Sequence, residues 1–278
     1  MLPVPPSLPL SPRAPPNSPA AAVDTLNQRF RNGHPSNNLD EVGIIIHQFD
    51  SRDDGNPDGQ PWQPFQPSIS AAIVYGQMEH EPDRGNVPVY SYSLAGLVLA
   101  PSHNQVRCSY AFDTGSLQWQ PTACNSWRCS NYESVDGHAN GGCAFNPEGL
   151  GHMMEVQAEI RRRNYKPGFK VWDDHKFYNE VIMDEQTYVA NLPHSISAVF
   201  YLPTPCDDIF DGPKCEDFAR GAHRNILRHF QLTEAQVPFV EFDYFNWNKP
   251  FTAMPNCDPQ AKGVASCGPA ANAALARS

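Results

Sequence analysis

Apolar residues in this chain come in short runs separated by turn-forming residues, a spacing that predicts strands. Gly43-Ile44-Ile45-Ile46 is an apolar run of buried-strand length, closed by His47. Ser68 to Tyr75 alternates instead, with Ile69, Ala71, Ile73 and Tyr75 on one face. Val87 to Tyr92 and Gly96 to Ala100 are further strands. Pro101-Ser102-His103-Asn104 reads as a turn into a segment with Val106, Cys108 and Tyr110 on one face. Lys176 to Asp184 and His194 to Leu202 are two more strands joined through Asn191-Leu192-Pro193, and Val237 to Phe245 is the last. Strands this short and numerous predict a mainly β chain, a β-sandwich or jelly roll of antiparallel sheets.

Helical periodicity interrupts the strands twice. Asn146 is an N-cap candidate with Pro147 at the first helical position. From there Leu150, Met153, Met154, Val156, Ala158 and Ile160 cover one wide face to about Arg163. The second helix runs from about Glu216 to Phe230, with Phe218, Ala222, Ile226 and Phe230 inward. Proline occupies eight of the first twenty positions, which favours extended backbone over helix or sheet. Three zones follow: a Pro-rich extended arm or leader over 1–38, a β-rich globular domain over 39–256, and a disulfide-closed loop with an Ala-rich tail over 257–278. No internal repeat is present.

Charge and cysteine content narrow the function classes. Thirty acidic residues against twenty basic ones give a net charge of −10. That balance disfavours nucleic acid, which rewards clustered Lys and Arg. No run approaches the ~18 uninterrupted apolar residues of a membrane helix. The eight cysteines fall as Cys108, Cys124, Cys129 and Cys143, then Cys206 and Cys215, then Cys257 and Cys267. Two paired C-x₂-C knuckles, as in a zinc ribbon, are absent. The last two pairs close short loops, where a bridge is worth about 2–3 kcal/mol in the chain-entropy model. The first four cysteines can pair in three ways, and spacing selects none. A disulfide-stabilised fold implies an oxidising compartment: secretion, or the lumen of an endomembrane or plastid. The leader allows either route, because proline breaks every apolar run while acids are missing and Ser is frequent.

Four groups of residues are candidates for chemistry. Asp54-Gly55-Asn56-Pro57-Asp58-Gly59 satisfies the first half of a calcium loop, where closely spaced oxygens converge on the ion. Its twelfth position is Phe65, so Asp50 and Asp53 would supply the missing carboxylates. A plain polar turn explains the same string. Glu241 and Asp243 share a strand face about 7 Å apart, the kind of carboxylate pair that glycoside hydrolysis uses. The string Glu241-Phe242-Asp243-Tyr244-Phe245-Asn246 resembles the E-x-D-x-x-E of laminarinase-like jelly-roll glycoside hydrolases. That resemblance implies Glu241 as nucleophile, while Asn246 stands where the acid/base Glu belongs. Tyr178, Glu180 and Asp184 share another strand face, a set able to serve β-elimination in a polysaccharide lyase. Arg220, Arg224 and Arg228 form a stripe at i, i+4 and i+8, suited either to an anionic sugar or to the neighbouring acids, Glu216 and Asp217 among them.

The five tryptophans, Trp62, Trp119, Trp127, Trp172 and Trp247, stand beside polar residues or proline, where each can offer a sugar-stacking ring or plug its own loop. His47 is expected to bond backbone in the interior. Together these features predict a non-catalytic, secreted or lumenal binding protein for a glycan or protein partner, or a structural subunit joined to a larger assembly by its Pro-rich arm. The alternative is a glycoside hydrolase or polysaccharide lyase on a jelly-roll sheet. Oxidation of every cysteine is the first testable consequence. Alkylation with and without prior reduction is expected to differ by eight groups per chain. Alkylation of Cys206 or Cys257 in the native protein would contradict it.

Overall fold

The computed structural model describes residues 18–49, 62, 68–76, 95–111, 124, 145–162, 179–203, 215–243, 246 and 248–256. In chain order these form α1 (Pro19–Asn32), β1 (Ile44–Gln48), β2 (Ser68–Val74), β3 (Ala95–Leu99), β4 (Val106–Tyr110), α2 (Leu150–Arg162), β5 (Glu180–Asp184), α3 (Glu185–Ala190), β6 (Ile196–Tyr201), α4 (Cys215–Phe230), β7 (Phe239–Phe242) and β8 (Phe251–Ala253). Short 3₁₀ turns, Pro101–His103 and Pro147–Gly149, precede β4 and α2.

The strands make one eight-stranded sheet in the order β4-β5-β2-β1-β3-β6-β7-β8. Every pairing is antiparallel except β6 with β7. That parallel step lies across α4, because parallel neighbours need a long crossover. β1 sits mid-sheet, with Ile45 opposite Ile73 on one side and Leu99 on the other. Its apolar run has no polar alternation because both faces of this region are covered.

Register tracing assigns the two faces. Ser70, Ile46, Val98, Phe200 and Phe242 share one, and Ala71, Ile45, Leu97, Tyr201, Phe239 and Glu241 share the other. On the first face Phe30 of α1 packs edge-on to Phe242 and Phe251, 6.3 and 6.5 Å between centroids. On the second, Phe218 of α4 packs on Phe49 and His223 stacks on Phe239, 5.4 and 5.5 Å between centroids. Helices therefore cover both faces of a single sheet. Short, mostly antiparallel strands are present as expected, the expected strand from Val87 to Tyr92 lying outside the described residues. A second sheet facing the first, as a sandwich or jelly roll needs, is not among the described residues.

Three local expectations change. Residues 19–32, inside the zone expected to be an extended arm, are helix α1. Proline stops at Pro19, which occupies the first turn, where a missing N–H costs nothing. Ser18 caps the helix by accepting from the Ala21 N–H at 3.2 Å. Ala22, Val23, Leu26 and Phe30 then bury one face. Val106 does not share a face with Cys108 and Tyr110. The register shifts between Val106 and Cys108, so Val106 lies opposite Met183 while Cys108 lies opposite Ile182. The chain between β5 and β6 is the short helix α3 rather than a bare turn. Four helices are described, not two.

Gly43 is required where α1, β1 and β2 meet. Its φ is +103°, and a Cβ there would sit 2.7 Å from the Tyr75 Cβ. Phe30, fully buried, couples α1 to the sheet. Phe30→Ala is expected to destabilise the fold by about 3–5 kcal/mol in urea unfolding. Exposed Gln28→Ala, on the opposite side of α1, should stay within about 0.5 kcal/mol of wild type. Equal effects would mean that α1 does not form part of the core.

Candidate functional site

The richest polar constellation lies where α4 crosses β6 and β7. Heptad-like spacing puts Arg220, His223 and Arg224 near the sheet, and the chain returns beneath them at Pro255 and Asn256. Arg220 donates to Glu216 one turn earlier and to the Pro255 carbonyl at 2.7 Å, and its guanidinium lies 4.9 Å above the Phe239 ring. Arg224 donates to Asn256 Oδ1 at 3.2 Å. Asn256 Nδ2 donates to the Arg220 carbonyl at 2.7 Å and to His223 Nδ1 at 2.9 Å. Its backbone N–H donates to Glu234 at 2.9 Å. His223 Nε2 in turn donates to the Val237 carbonyl at 2.8 Å, which assigns the neutral Nε2–H tautomer. Burial pushes its pKa down to about 4. Burial also raises the Glu234 carboxyl, against the Asn256 N–H that favours its charge.

Glu241 belongs to the same neighbourhood. It accepts from Tyr201 Oη at 2.9 Å across the parallel β6–β7 pair. Tyr201 is shifted upward, first by burial and then by this carboxylate. Asp243 follows the end of β7. Its N–H donates to the Pro250 carbonyl and its carbonyl accepts from the Asn246 N–H, so the chain turns there towards β8. Asn246 is thus in a turn, not on the strand that carries Glu241, and it accepts from the Lys249 N–H.

The second constellation is on the opposite face. Glu180 is 1% exposed, lies opposite Tyr110, and accepts from Ser70 Oγ at 2.9 Å. His47, which by register lies on the Ile45 and Leu97 face instead, donates from Nδ1 to the Ser70 carbonyl at 2.7 Å, the backbone bond expected of it. Asp184 caps α3, accepting from the Thr187 N–H and hydroxyl at 2.8 and 2.6 Å. The hydroxyl bond holds its carboxyl below the ordinary range. Tyr178 lies outside the described residues, so the lyase set is seen only through Glu180 and Asp184.

Trp62 is buried at 4% exposure against His229 and Phe230, and its carbonyl accepts from Tyr188 Oη at 2.9 Å. It plugs the core. Trp119, Trp127, Trp172 and Trp247 lie outside the described residues, as do Asp50, Asp53, Asp54, Asn56 and Asp58 of the calcium-like loop. Among the described residues no three His, Cys, Asp or Glu side chains converge as a metal shell. Cys108 and Cys124 are bridged, Cα atoms 5.6 Å apart, which selects one of the three pairings left open. Cys215 is also disulfide-bonded. Cys129, Cys143, Cys206, Cys257 and Cys267 lie outside the described residues.

The spacing of the arginines marked a helix face correctly, but nothing local announced Asn256 as its partner. Asn179 and Asn27, each bonding a distant backbone, were missed for the same reason. The chain matches no protein-family model, no curated protein and no solved structure.

His223 supplies a stability test with a definite sign. Its pKa is about 4 in the fold against 6.5 ordinarily, so as pH falls the unfolded chain takes up this proton first. Its contribution is complete above the unfolded value and is lost as pH falls towards 4. Between pH ~7.5 and pH ~4.5 it should remove about 2–3 kcal/mol. His223→Gln keeps an amide donor for Val237 without that proton. Urea unfolding should show the variant less stable at the higher pH but losing less on acidification, by about that amount. Equal losses in both proteins would reject the assignment.

Proposed function

We propose that this chain is a non-catalytic binding protein of an oxidising compartment, secreted or lumenal, whose partner is a glycan or another protein. The placement of the candidate carboxylates carries the reading. Glu180 and Glu241 occupy opposite faces of one sheet, five strand spacings apart, or about 24 Å at the usual strand separation. Glycoside hydrolysis needs its two carboxyl groups roughly 5–10 Å apart. Glu180 is buried and holds Ser70, while Glu241 holds Tyr201. Each carboxylate on these strands is engaged in the fold. The Cys108–Cys124 bridge and the bonded Cys215 support the compartment.

Arg220 and Arg224 already clasp the chain at Asn256, so the reading assigns glycan contact to the loop-borne Trp119, Trp127, Trp172 and Trp247 rather than to the arginine stripe. A polysaccharide panel scored for reducing-end release and for retention on insoluble polymer tests it. Retention without release is expected, nearly unchanged as salt rises from ~50 to ~500 mM, because stacking is not screened. Release that disappears in Glu241→Gln or Glu180→Gln would replace this reading with the enzymatic one. Neither retention nor release would leave a protein partner, and removing residues 1–17 is then expected to weaken that assembly.

A further inference from the structure

Two histidines far apart in sequence meet at one end of the sheet. His103 closes the 3₁₀ turn between β3 and β4, and His194 sits in the turn before β6. Their ring centroids are 5.6 Å apart with the planes tilted 37°, and both side chains are exposed. Among the described residues neither ring is engaged by a hydrogen bond or ion pair, whereas His47 bonds backbone and His223 bonds both backbone and the Asn256 side chain.

The backbone beneath the pair is fixed. The His103 carbonyl accepts from Asn191 Nδ2 and from Ser195 Oγ, both at 3.3 Å. The Ser195 carbonyl accepts from the Ala100 N–H at 2.9 Å and from Asn104 Nδ2 at 3.0 Å. Four hydrogen bonds therefore tie one turn to the other, and the Cα positions that carry the two imidazoles are built into the fold.

We infer that His103 and His194 chelate a borderline divalent transition-metal ion, of the class of Zn²⁺, Ni²⁺ or Cu²⁺. Imidazole is the favoured ligand of that class, and carboxylate-seeking Ca²⁺ and Mg²⁺ have no match here. At metal–nitrogen lengths of about 2.0–2.1 Å, two rings on one tetrahedral ion place their centroids roughly 5 Å apart, close to the 5.6 Å seen here. No third His, Cys, Asp or Glu joins the pair among the described residues, so water or a donor from a bound partner fills the other positions. The site is independent of the calcium-like loop, which offers oxygen ligands at a different place in the sequence.

Calorimetric titration of Zn²⁺ into the full chain tests the assignment. One saturable ion per chain with a micromolar dissociation constant is expected. His103→Ala and His194→Ala should each weaken it about tenfold or more, since even outer partners of a metal ligand are worth about 10–100-fold. His152→Ala, an exposed histidine on α2, should leave it unchanged. Mg²⁺ should not compete. Melting curves without metal should coincide for wild type and the two alanine variants, because neither ring supports the fold. Absence of saturable binding, or a loss confined to one of the two variants, would overturn the chelate.

Discussion

Asn27 stands in for a strand. From the middle of α1 its side-chain amide accepts from the Phe251 N–H and donates to the Phe251 carbonyl, both at 2.9 Å, across 224 residues of sequence. Among the described residues β8 pairs only with β7, so its outer edge would otherwise present those groups unpaired in a buried place. An unsatisfied buried backbone group costs about 1–3 kcal/mol. The same bond fixes α1 on the sheet, which brings Phe30 onto Phe242 and Phe251 and closes that face of the core. Asn179 repeats the device on β2: Oδ1 accepts from the Ile73 N–H at 2.7 Å and Nδ2 donates to the Ile73 carbonyl at 2.9 Å. Gln157 of α2 takes the second amide proton, so that helix too is tied to the sheet. Helical layers on this sheet thus depend on asparagines that complete its backbone ladder.

Local pattern carried part of the fold. β1, β2, β3, β6 and α4 are legible in sequence because each is long enough for its period to show and because burial enforces that period. α1 is hidden because proline density over the first twenty residues dominates any window that contains Ser18 and Pro19. β8 has three residues, too few for alternation to be visible. The bulge at Val106 reverses one side chain without leaving a Gly or Pro as a mark. What local pattern could not express is the layering: a run such as Ile44-Ile45-Ile46 is equally suited to a sandwich interior and to a sheet with helices on both sides. Asn27 with Phe251 and Asn179 with Ile73 decide between these, and such pairs have no sequence period.

The candidate chemistry was legible to the same depth. Alternation correctly set Glu241 on one face of its strand, and helical spacing correctly aligned Arg220 with Arg224. The partners came from elsewhere: Tyr201 from β6, and Asn256 from the chain beyond β8. Those partners change the meaning of the residues. Arg220 and Arg224, which meet an asparagine, a carbonyl and an aromatic ring, hold the chain together. Asn246 illustrates the converse. A resemblance read along a continuous strand fails where β7 ends at Phe242 and the chain turns back through Asn246 to Lys249.

Polar satisfaction is incomplete both around α4 and at the histidine turns: on α4 the buried Asn225 Nδ2 has no hydrogen-bond partner among the described residues. Around α4, His223, Asn256 and the arginines account for one another through mutual hydrogen bonds. Beneath His103 and His194, Asn104 spends both amide protons on the Ala100 and Ser195 carbonyls, and its buried Oδ1 has no hydrogen-bond partner. An orphaned buried oxygen is destabilising on the scale of about 1–3 kcal/mol. Leucine or alanine at that position would remove the orphan together with the two Asn104 bonds, leaving the Ala100 N–H, Asn191 and Ser195 Oγ bonds between the turns in place. The Asn104 amide therefore adds to the bonds between the two turns while leaving one buried oxygen unpaired. The α4 clasp and the bonds between the two histidine turns are both cohesive: each joins segments distant in sequence through side-chain amides and backbone carbonyls.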